Sequence, residues 1–248
     1  MTVWATAAAP PRARVEAGGG AAPAARALVV GHRGGRGEGW PRENTLAAFE
    51  RARGQGARAI ELDVRTHGGE VIVLHDATRA TPAELRAMEV PTLDDVLAWA
   101  RERDVAVNVE LKHDVPSRAA LARAAARIVR ASGADVLLSS FDPLLLAAAG
   151  AMAPRVPRAM LFHARQARWA DALEAAMRPG FASSVHLERT QTDPRTIARA
   201  RARGLRVGVW TVNDPDEAVD LAALGVETII TDAPGRVLAA LAPGVPAD

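Results

Sequence analysis

The sequence RAIELDVRTHGGEVIVLHD, residues 58–76, decides how the rest of the chain is interpreted. Glu61 and Asp63 lie two positions apart in a strand-like run, so their carboxylates project from the same face of a strand. The glycine pair at 68–69 predicts a turn. If this turn is centred on the first glycine, the returning strand places His75 beside Glu61. The stretch predicts a hairpin that brings an imidazole to a pair of metal ligands, although an ordinary exposed hairpin with charged ends has the same pattern.

Apolar strand-like runs alternate with amphipathic helical runs along the remaining chain. The strand candidates are residues 27–31, 58–64, 105–111, 135–139, 158–162, 183–187, 206–211 and 227–231. The helix candidates are residues 44–55, 93–103, 117–131, 143–152, 167–177, 194–203, 215–224 and 234–241. Three of the helical runs follow an Asp-Pro pair, which supplies an N-cap acceptor and a proline at the first helical position.

Eight alternating units with short connections predict an α/β fold, the closed (β/α)8 TIM barrel. Residues 71–74 form a ninth strand, a β-hairpin excursion after strand 2, because a parallel neighbour would need a crossover of a dozen or more residues. An open doubly wound sheet is the alternative, but no glycine-rich dinucleotide-binding fingerprint follows the first strand. We expect residues 27–243 to form a single domain, and residues 1–26, rich in Ala, Pro and Gly, to be a disordered leader.

Composition excludes several classes of protein. The formal charge of the 248 residues is +2, so we expect no strong field for nucleic acid. Cysteine is absent, which excludes disulfides and thiolate catalysis. No apolar run approaches the roughly eighteen residues of a membrane span, and we expect a cytoplasmic protein without an integral membrane segment. Lys112 is the single lysine among 31 basic residues, which suggests that position 112 needs a compact point charge.

Polar residues gather where the predicted strands end, which is where the chemistry of such barrels is found. Glu110 and Lys112 share a face of strand 3, as Glu61 and Asp63 share a face of strand 2. Residues expected to converge on this rim are His32, Arg33, Glu61, Asp63, His75, Glu110 and Lys112. A structural salt-bridge network could use the same residue types, but surface pairs rarely concentrate at one end of a sheet.

These residue types suit phosphodiester cleavage. Three carboxylates favour one divalent cation, Mg²⁺ or Ca²⁺, which would polarise a phosphoryl oxygen. Arg33 offers a fork of donors to phosphate, and Lys112 a point charge. His32 and His75 can take a proton from the nucleophile and give one to the leaving alkoxide, a role typically worth two to four orders of magnitude in rate.

The chain resembles the glycerophosphodiester phosphodiesterases from residue 27 to its last helix. The motifs that carry this resemblance are Gly31-His32-Arg33-Gly34, Glu43-Asn44-Thr45, Glu61-Leu62-Asp63-Val64, His75-Asp76, Pro91-Thr92-Leu93, Glu110-Leu111-Lys112, Trp210-Thr211-Val212-Asn213 and Thr231-Asp232-Ala233-Pro234.

The resemblance implies a TIM barrel that hydrolyses glycerophosphodiesters to an alcohol and sn-glycerol 3-phosphate. It implies an acid/base pair of His32 and His75, and attack by the substrate's own hydroxyl through a cyclic phosphate. The metal ligands implied by the resemblance are Glu61, Asp63 and Glu110. The phosphate would be held by Arg33 and Lys112, and Trp210 would line the glycerol side of the pocket.

The chain departs from the family pattern in two places, and the second departure bears on the substrate. Arg42 stands where the family usually has a proline before Glu-Asn-Thr, and residues 77–90 replace a commonly longer insertion. Two alternatives remain open: lysophospholipase D-like activity on larger lipids, and a catalytically silent barrel that binds phosphodiesters. Exposed apolar residues around the mouth would favour the first alternative, and loss of a histidine or carboxylate would favour the second. Asp232 is interpreted as a possible cap of the last helix, and Asn44 as the N-cap of the first.

Overall fold

Eight parallel strands close into a barrel. The computed structural model describes residues 3–4, 27–165 and 181–242. The strands are β1 (Leu28–Gly31), β2 (Ala59–His67), β3 (Glu70–Val73), β4 (Ala106–Leu111), β5 (Val136–Ser140), β6 (Arg158–Phe162), β7 (Ser184–Glu188), β8 (Arg206–Trp210) and β9 (Thr228–Thr231). They are ordered β1-β9-β8-β7-β6-β5-β4-β2, and parallel pairing of β1 with β2 closes the ring. The TIM barrel prediction is confirmed.

Helices cover the outside of this ring. They are α1 (Leu46–Gly54), α2 (Pro82–Ala87), α3 (Leu93–Glu102), α4 (Arg118–Ser132), α5 (Pro143–Met152), α6 (Pro194–Ala202), α7 (Pro215–Ala223) and α8 (Pro234–Ala240). The three Asp-Pro pairs begin α5, α6 and α7, and each aspartate accepts hydrogen bonds from backbone N–H groups of the first turn. The helix predicted over 167–177 lies outside the described residues. None of the described helices is long and apolar enough to cross a membrane.

One short helix was not predicted from the sequence. α2 lies in the segment 77–90, between the hairpin and α3. It begins with a capping box in which Thr81 and Glu84 exchange hydrogen bonds, followed by Pro82 at the first turn. The Thr-x-x-Glu spacing was the sequence signal for this helix.

The hairpin after β2 is present, but its register differs by one residue from the prediction. β2 extends to His67, and the pairing of His67 with Glu70 places the turn between Gly68 and Gly69. Both glycines have positive φ, which suits them to a tight turn. The last backbone hydrogen bond runs from the N–H of Leu74 to the carbonyl of Asp63, at 2.9 Å. His75 therefore follows the ladder at the mouth of the barrel and is not paired opposite Glu61.

Small and branched side chains fill the lower half of the barrel interior. This cluster contains Val30, Ala59, Ala106, Leu137, Ala159 and Ile230, and Trp4 packs against it. Trp4 is buried, and its indole Nε1 donates to the carbonyl of Asp135 at 3.3 Å. Val3 and Trp4 are the described part of the predicted leader, and the remainder of residues 1–26 lies outside the described ranges.

A histidine is buried inside the barrel above this cluster. His186 on β7 is 1% exposed and pairs in register with Gly208 on β8. A Cβ at position 208 would come within 2.5 Å of the His186 ring, so the glycine makes room for the imidazole. Burial, with a smaller contribution from Arg206, lowers the pKa of His186 to about 3. His186 therefore stays neutral in the folded protein and is a residue of the barrel core.

The depressed pKa of His186 makes stability depend on pH. The unfolded chain takes up a proton below a pKa of about 6.5, whereas the folded chain does so only near 3. The free energy of unfolding should therefore fall as pH decreases from 6.5, by about 1.5 kcal/mol at pH 5 from this group. Urea denaturation of the wild-type protein and of His186→Gln, each at pH 6.5 and at pH 5, measures this fall in the free energy of unfolding. An identical pH dependence in the two proteins would contradict the assignment.

Candidate active site

Three carboxylates meet at the C-terminal ends of two neighbouring strands. Glu61 and Asp63 are on β2 and Glu110 is on β4, and the parallel register pairs Asp63 directly with Glu110. One oxygen from each of the three lies within 4.8 Å of the others. Glu61 is 4% exposed, Asp63 is 1% exposed and the Glu110 side chain is 12% exposed, so most of the cluster's surface is removed from solvent.

Burial and mutual repulsion shift the pKa values of these three carboxyl groups. Burial, reinforced by Asp63 and Glu110, raises the pKa of Glu61 well above its usual value. Burial and the charge of Asp63 raise the pKa of Glu110 to about 7. Burial would also raise the pKa of Asp63, but Lys112 and Arg33 outweigh it and hold this pKa below its usual value. Three hard oxygen donors that repel one another fit a divalent cation of the Mg²⁺ or Ca²⁺ type.

Two cations lie against the acidic cluster. Lys112 Nζ is 3.0 Å from an oxygen of Glu110 and 3.3 Å from an oxygen of Asp63. Arg33 Nε is 3.2 Å from Asp63, and its Nη1 donates to Glu43 at 2.7 Å. Arg33 also donates its backbone N–H to Glu61 at 3.0 Å. Both cations are thereby fixed beside the carboxylates and still line the cavity.

His32 is oriented by a carboxylate that is 14% exposed and comes from the opposite end of the chain. Its Nδ1 is 2.7 Å from Asp232 Oδ1, and its Nε2 lies 3.9 Å from Glu61. Asp232 also accepts hydrogen bonds from Arg36 and from Asn213. Burial would raise the pKa of Asp232, but the hydrogen bonds from His32 and Arg36 hold it well below its usual value. Asp232 thus stays ionised and directs Nε2 of His32 toward the cavity.

His75 has a comparable but exposed partner. Its Nδ1 is 2.7 Å from a carboxylate oxygen of Asp76, the next residue in the chain. The side chain of Asp76 is 89% exposed, against 14% for Asp232. Both histidines therefore have an aspartate at Nδ1, but the partner of His32 is largely shielded from solvent and the partner of His75 is not.

A cavity of about 360 Å³ joins these groups. Seven of the eight residues singled out from the sequence line it, namely His32, Arg33, Glu61, His75, Glu110, Lys112 and Trp210. Asp63 lies behind the wall, where it accepts a hydrogen bond from the Asn44 side chain at 3.0 Å. The far wall is aromatic, because Trp210 stands edge-on to Phe141 with ring centroids 5.6 Å apart and lies 5.8 Å from His163.

The floor and the aromatic wall of the cavity carry polar atoms without a hydrogen-bond partner among the described residues. They are Asn108 Oδ1, Ser139 Oγ and Trp210 Nε1, all buried. Because an unpaired buried polar group costs about 1–3 kcal/mol, such atoms are suited to receive hydroxyl groups of a ligand.

Several supporting residues differ from the sequence interpretation. Thr45, not Asn44, caps α1, and Asn44 instead holds Asp63 in place. Asp232 does not cap α8, whose N-cap is Ala233 without a side-chain hydrogen bond. The contact between Asp232 and His32 spans 200 residues of sequence, so no local pattern could have indicated it. Glu43 supports the site through its ion pair with Arg33.

Known proteins share this fold and sequence. The model of the Glycerophosphoryl diester phosphodiesterase family matches residues 32–236. A glycerophosphodiester phosphodiesterase of Caldanaerobacter subterraneus is 27% identical, covering 86% of this chain and 97% of that protein. The crystal structure of a glycerophosphodiester phosphodiesterase from Thermotoga maritima superimposes with a TM-score of 0.69 at 25% identity, covering 86% of this chain and 97% of that one. An Oleispira antarctica phosphodiesterase, solved with the product sn-glycerol-3-phosphate, gives a TM-score of 0.74 at 24% identity, covering 86% and 96%.

Removing Lys112 should destabilise the protein in the absence of metal. Lys112→Met leaves the buried carboxylates without their nearest cation, a change that typically costs about 3–5 kcal/mol. Urea denaturation in EDTA measures this loss in the free energy of unfolding. Saturating Mg²⁺ or Ca²⁺ should recover a large part of it, because an ion among the carboxylates replaces the missing charge. Equal stability of variant and wild type in EDTA would contradict this account.

Proposed function

The chain belongs to the glycerophosphoryl diester phosphodiesterase family, and we propose that the cavity at the mouth of its barrel carries out the family reaction with the residues described above. The protein is a phosphoric diester hydrolase that acts on glycerophosphodiesters and releases glycerol 3-phosphate. The family depends on a divalent metal. Support for the proposed division of labour comes from one observation: two imidazoles, an arginine, the single lysine and two of the three clustered carboxylates line one cavity, and the third carboxylate lies directly behind its wall.

The acidic trio is proposed to hold the metal. Glu61, Asp63 and Glu110 offer three oxygen donors whose mutual repulsion a divalent cation would relieve. A bound cation supplies Lewis acidity at a phosphoryl oxygen. The oxygen ligand set suits Mg²⁺ and Ca²⁺ alike, so the choice between them is left to experiment.

His32 and His75 are proposed as the acid/base pair. Each has an aspartate at Nδ1, so Nε2 is the nitrogen left to exchange a proton with substrate. In the proposed first step the substrate's hydroxyl loses its proton to one imidazole and forms an O–P bond. The bond to the leaving alcohol then breaks as the other imidazole protonates its oxygen. Water opens the cyclic phosphate in a second step with the proton roles reversed.

Arg33 and Lys112 are proposed to bind the phosphate. Both line the cavity beside the carboxylates, and neither can lose its charge at neutral pH. Burial would lower the pKa of the Lys112 ammonium, but the charges of Glu110 and Asp63 outweigh burial and raise this pKa above its usual value. These two cations would counter the negative charge that develops on the phosphoryl oxygens.

The glycerol moiety is proposed to face the aromatic wall and the polar floor. Trp210 offers an apolar face to the carbon chain, while Asn108 and Ser139 present unpaired oxygen atoms to hydroxyl groups. The product named for the Oleispira phosphodiesterase, sn-glycerol-3-phosphate, supports a site of this size and polarity. None of the exposed large hydrophobic residues in the described ranges lines the cavity, which favours small substrates over the lysophospholipids of the alternative activity.

Two expectations from the sequence stay predictions. These are a cytoplasmic location and the lack of nucleic-acid binding.

A direct assay tests the function and the roles of individual residues. Purified protein with Mg²⁺ or Ca²⁺ should release glycerol 3-phosphate from glycerophosphocholine or glycerophosphoethanolamine. His75→Ala should abolish turnover but spare metal affinity, whereas Glu61→Gln should impair both, as measured by kinetics and by calorimetric metal titration. Lack of turnover of any glycerophosphodiester with either ion would favour the silent barrel, and equal loss of metal in both variants would contradict the division of roles.

The two aspartates beside the histidines provide a matched pair of substitutions. Asp232→Asn removes the charge that orients His32 and should lower kcat by about 100-fold, the lower end of the range for losing a positioned acid or base. Asp76→Asn should lower kcat by less than about tenfold, because water can replace a partner that is 89% exposed. Metal affinity should be unchanged in both variants. Equal effects on kcat would show that burial of Asp232 has no bearing on catalysis.

A further inference from the structure

Charge is distributed unevenly around the barrel. Residues 115–206 contain 15 arginines and six acidic residues, a formal charge of +9. Residues 27–114 contain 12 basic and 15 acidic residues, and residues 207–242 contain one basic and six acidic residues. Strands β5 to β7 belong to the basic segment and are neighbours in the ring, so this segment of sequence is also a sector of the surface. The flank of the barrel built from residues 115–206 is therefore positive, and the flank built from residues 27–114 and 207–242 is negative.

Three arginines on α4 belong to this positive flank. Arg123, Arg127 and Arg130 have helical spacings of four and three residues, which places them on one face of the helix. All three are exposed and line a shallow surface depression together with Met152. None of them forms an ion pair with another residue of the ranges 27–165 and 181–242. Their charges are therefore available to a partner.

An exposed leucine lies beside this row on the neighbouring helix. Arg118, at the start of α4, pairs at 2.9 Å with Asp142, the N-cap of α5. Arg130, near the end of α4, donates to the carbonyl of Met152 at the end of α5. The two helices thus run side by side. Leu144, in the first turn of α5, is 77% exposed, more than any other large hydrophobic side chain of the described residues.

We propose that this α4–α5 face, defined by Arg123, Arg127, Arg130 and Leu144, docks on an anionic phospholipid surface. Arginine forks match phosphate oxygens, and basic residues near an anionic leaflet are drawn to it within a Debye length. Leu144 would enter the headgroup region, where an apolar side chain is stabilised.

The composition of the face favours lipid over nucleic acid. Neither α4 nor α5 contains an aromatic residue on which a base could stack. Leu144 would gain no apolar contact from a sugar-phosphate backbone, whereas insertion into a lipid surface would bury its side chain. Leu144 also lies three residues after Phe141, which lines the catalytic cavity. Docking through this face would hold the mouth of the barrel at the edge of the membrane.

Vesicle binding tests the proposal. The wild-type protein should sediment with vesicles containing phosphatidylglycerol at low salt, less so at high salt, and not with pure phosphatidylcholine vesicles. Each arginine near an anionic surface should contribute about a factor of five to the partition coefficient. The triple variant Arg123→Gln/Arg127→Gln/Arg130→Gln should therefore bind on the order of 100-fold more weakly. Leu144→Ser, which leaves charge unchanged, should also reduce binding.

A charge-matched control separates this face from the charge of the whole protein. Arg53→Gln/Arg79→Gln/Arg86→Gln removes three exposed arginines that lie outside the α4–α5 face, in the acidic segment 27–114, and should alter binding by less than threefold. Equal loss in both triple variants, or no wild-type binding at low salt, would overturn the proposal. Tighter binding of a duplex oligonucleotide than of vesicles through the same arginines would assign the face to nucleic acid. Sedimentation without vesicles that the triple variant abolishes would assign it to a second copy of the chain.

The proposal is independent of the catalytic assignment. The three α4 arginines lie outside the catalytic cavity, so turnover of soluble glycerophosphocholine should be the same in the triple variant as in wild type. A wild-type protein that binds vesicles as expected but does not turn over glycerophosphocholine would count against the proposed function alone.

Discussion

Repulsion among three buried carboxylates is the constraint on which the site depends. The register between β2 and β4 fixes Glu61, Asp63 and Glu110 within 4.8 Å of one another, and burial weakens the screening of their charges by water. Such a cluster is tolerated only with compensating positive charge. Lys112 and Arg33 provide part of it, and the same cations border the cavity where a phosphate would bind. Stability of the barrel mouth and affinity for an anionic substrate thus rest on the same side chains.

The remaining parts of the site are arranged around this cluster by the barrel itself. Parallel strands deliver their C-terminal residues to one end, so side chains far apart in sequence meet without a dedicated binding domain. Asn44 orients Asp63 from the loop before α1, and Asp232 orients His32 from the end of β9. These contacts hold the reacting groups from behind, where substrate does not reach.

The features that a local pattern determines could be predicted from sequence, and those that depend on distant contacts could not. Alternating strand faces predicted the convergence of Glu61 and Asp63, and the Asp-Pro pairs predicted the starts of α5, α6 and α7. The hairpin register was wrong by one residue because either glycine at 68–69 could centre the turn. Asn44 looked like a helix cap because its amide suits both tasks, and only the fold brings Asp63 within its reach. Roles of the site residues stay predictions.

The contact between His32 and Asp232 joins the first strand of the barrel to the last. A growing polypeptide would present its acidic trio long before β9 leaves the ribosome, but its first imidazole would lack an orienting partner until then. Catalytic competence is therefore tied to closure of the ring, because the strand that pairs with both β1 and β8 also delivers the carboxylate that aligns this proton carrier.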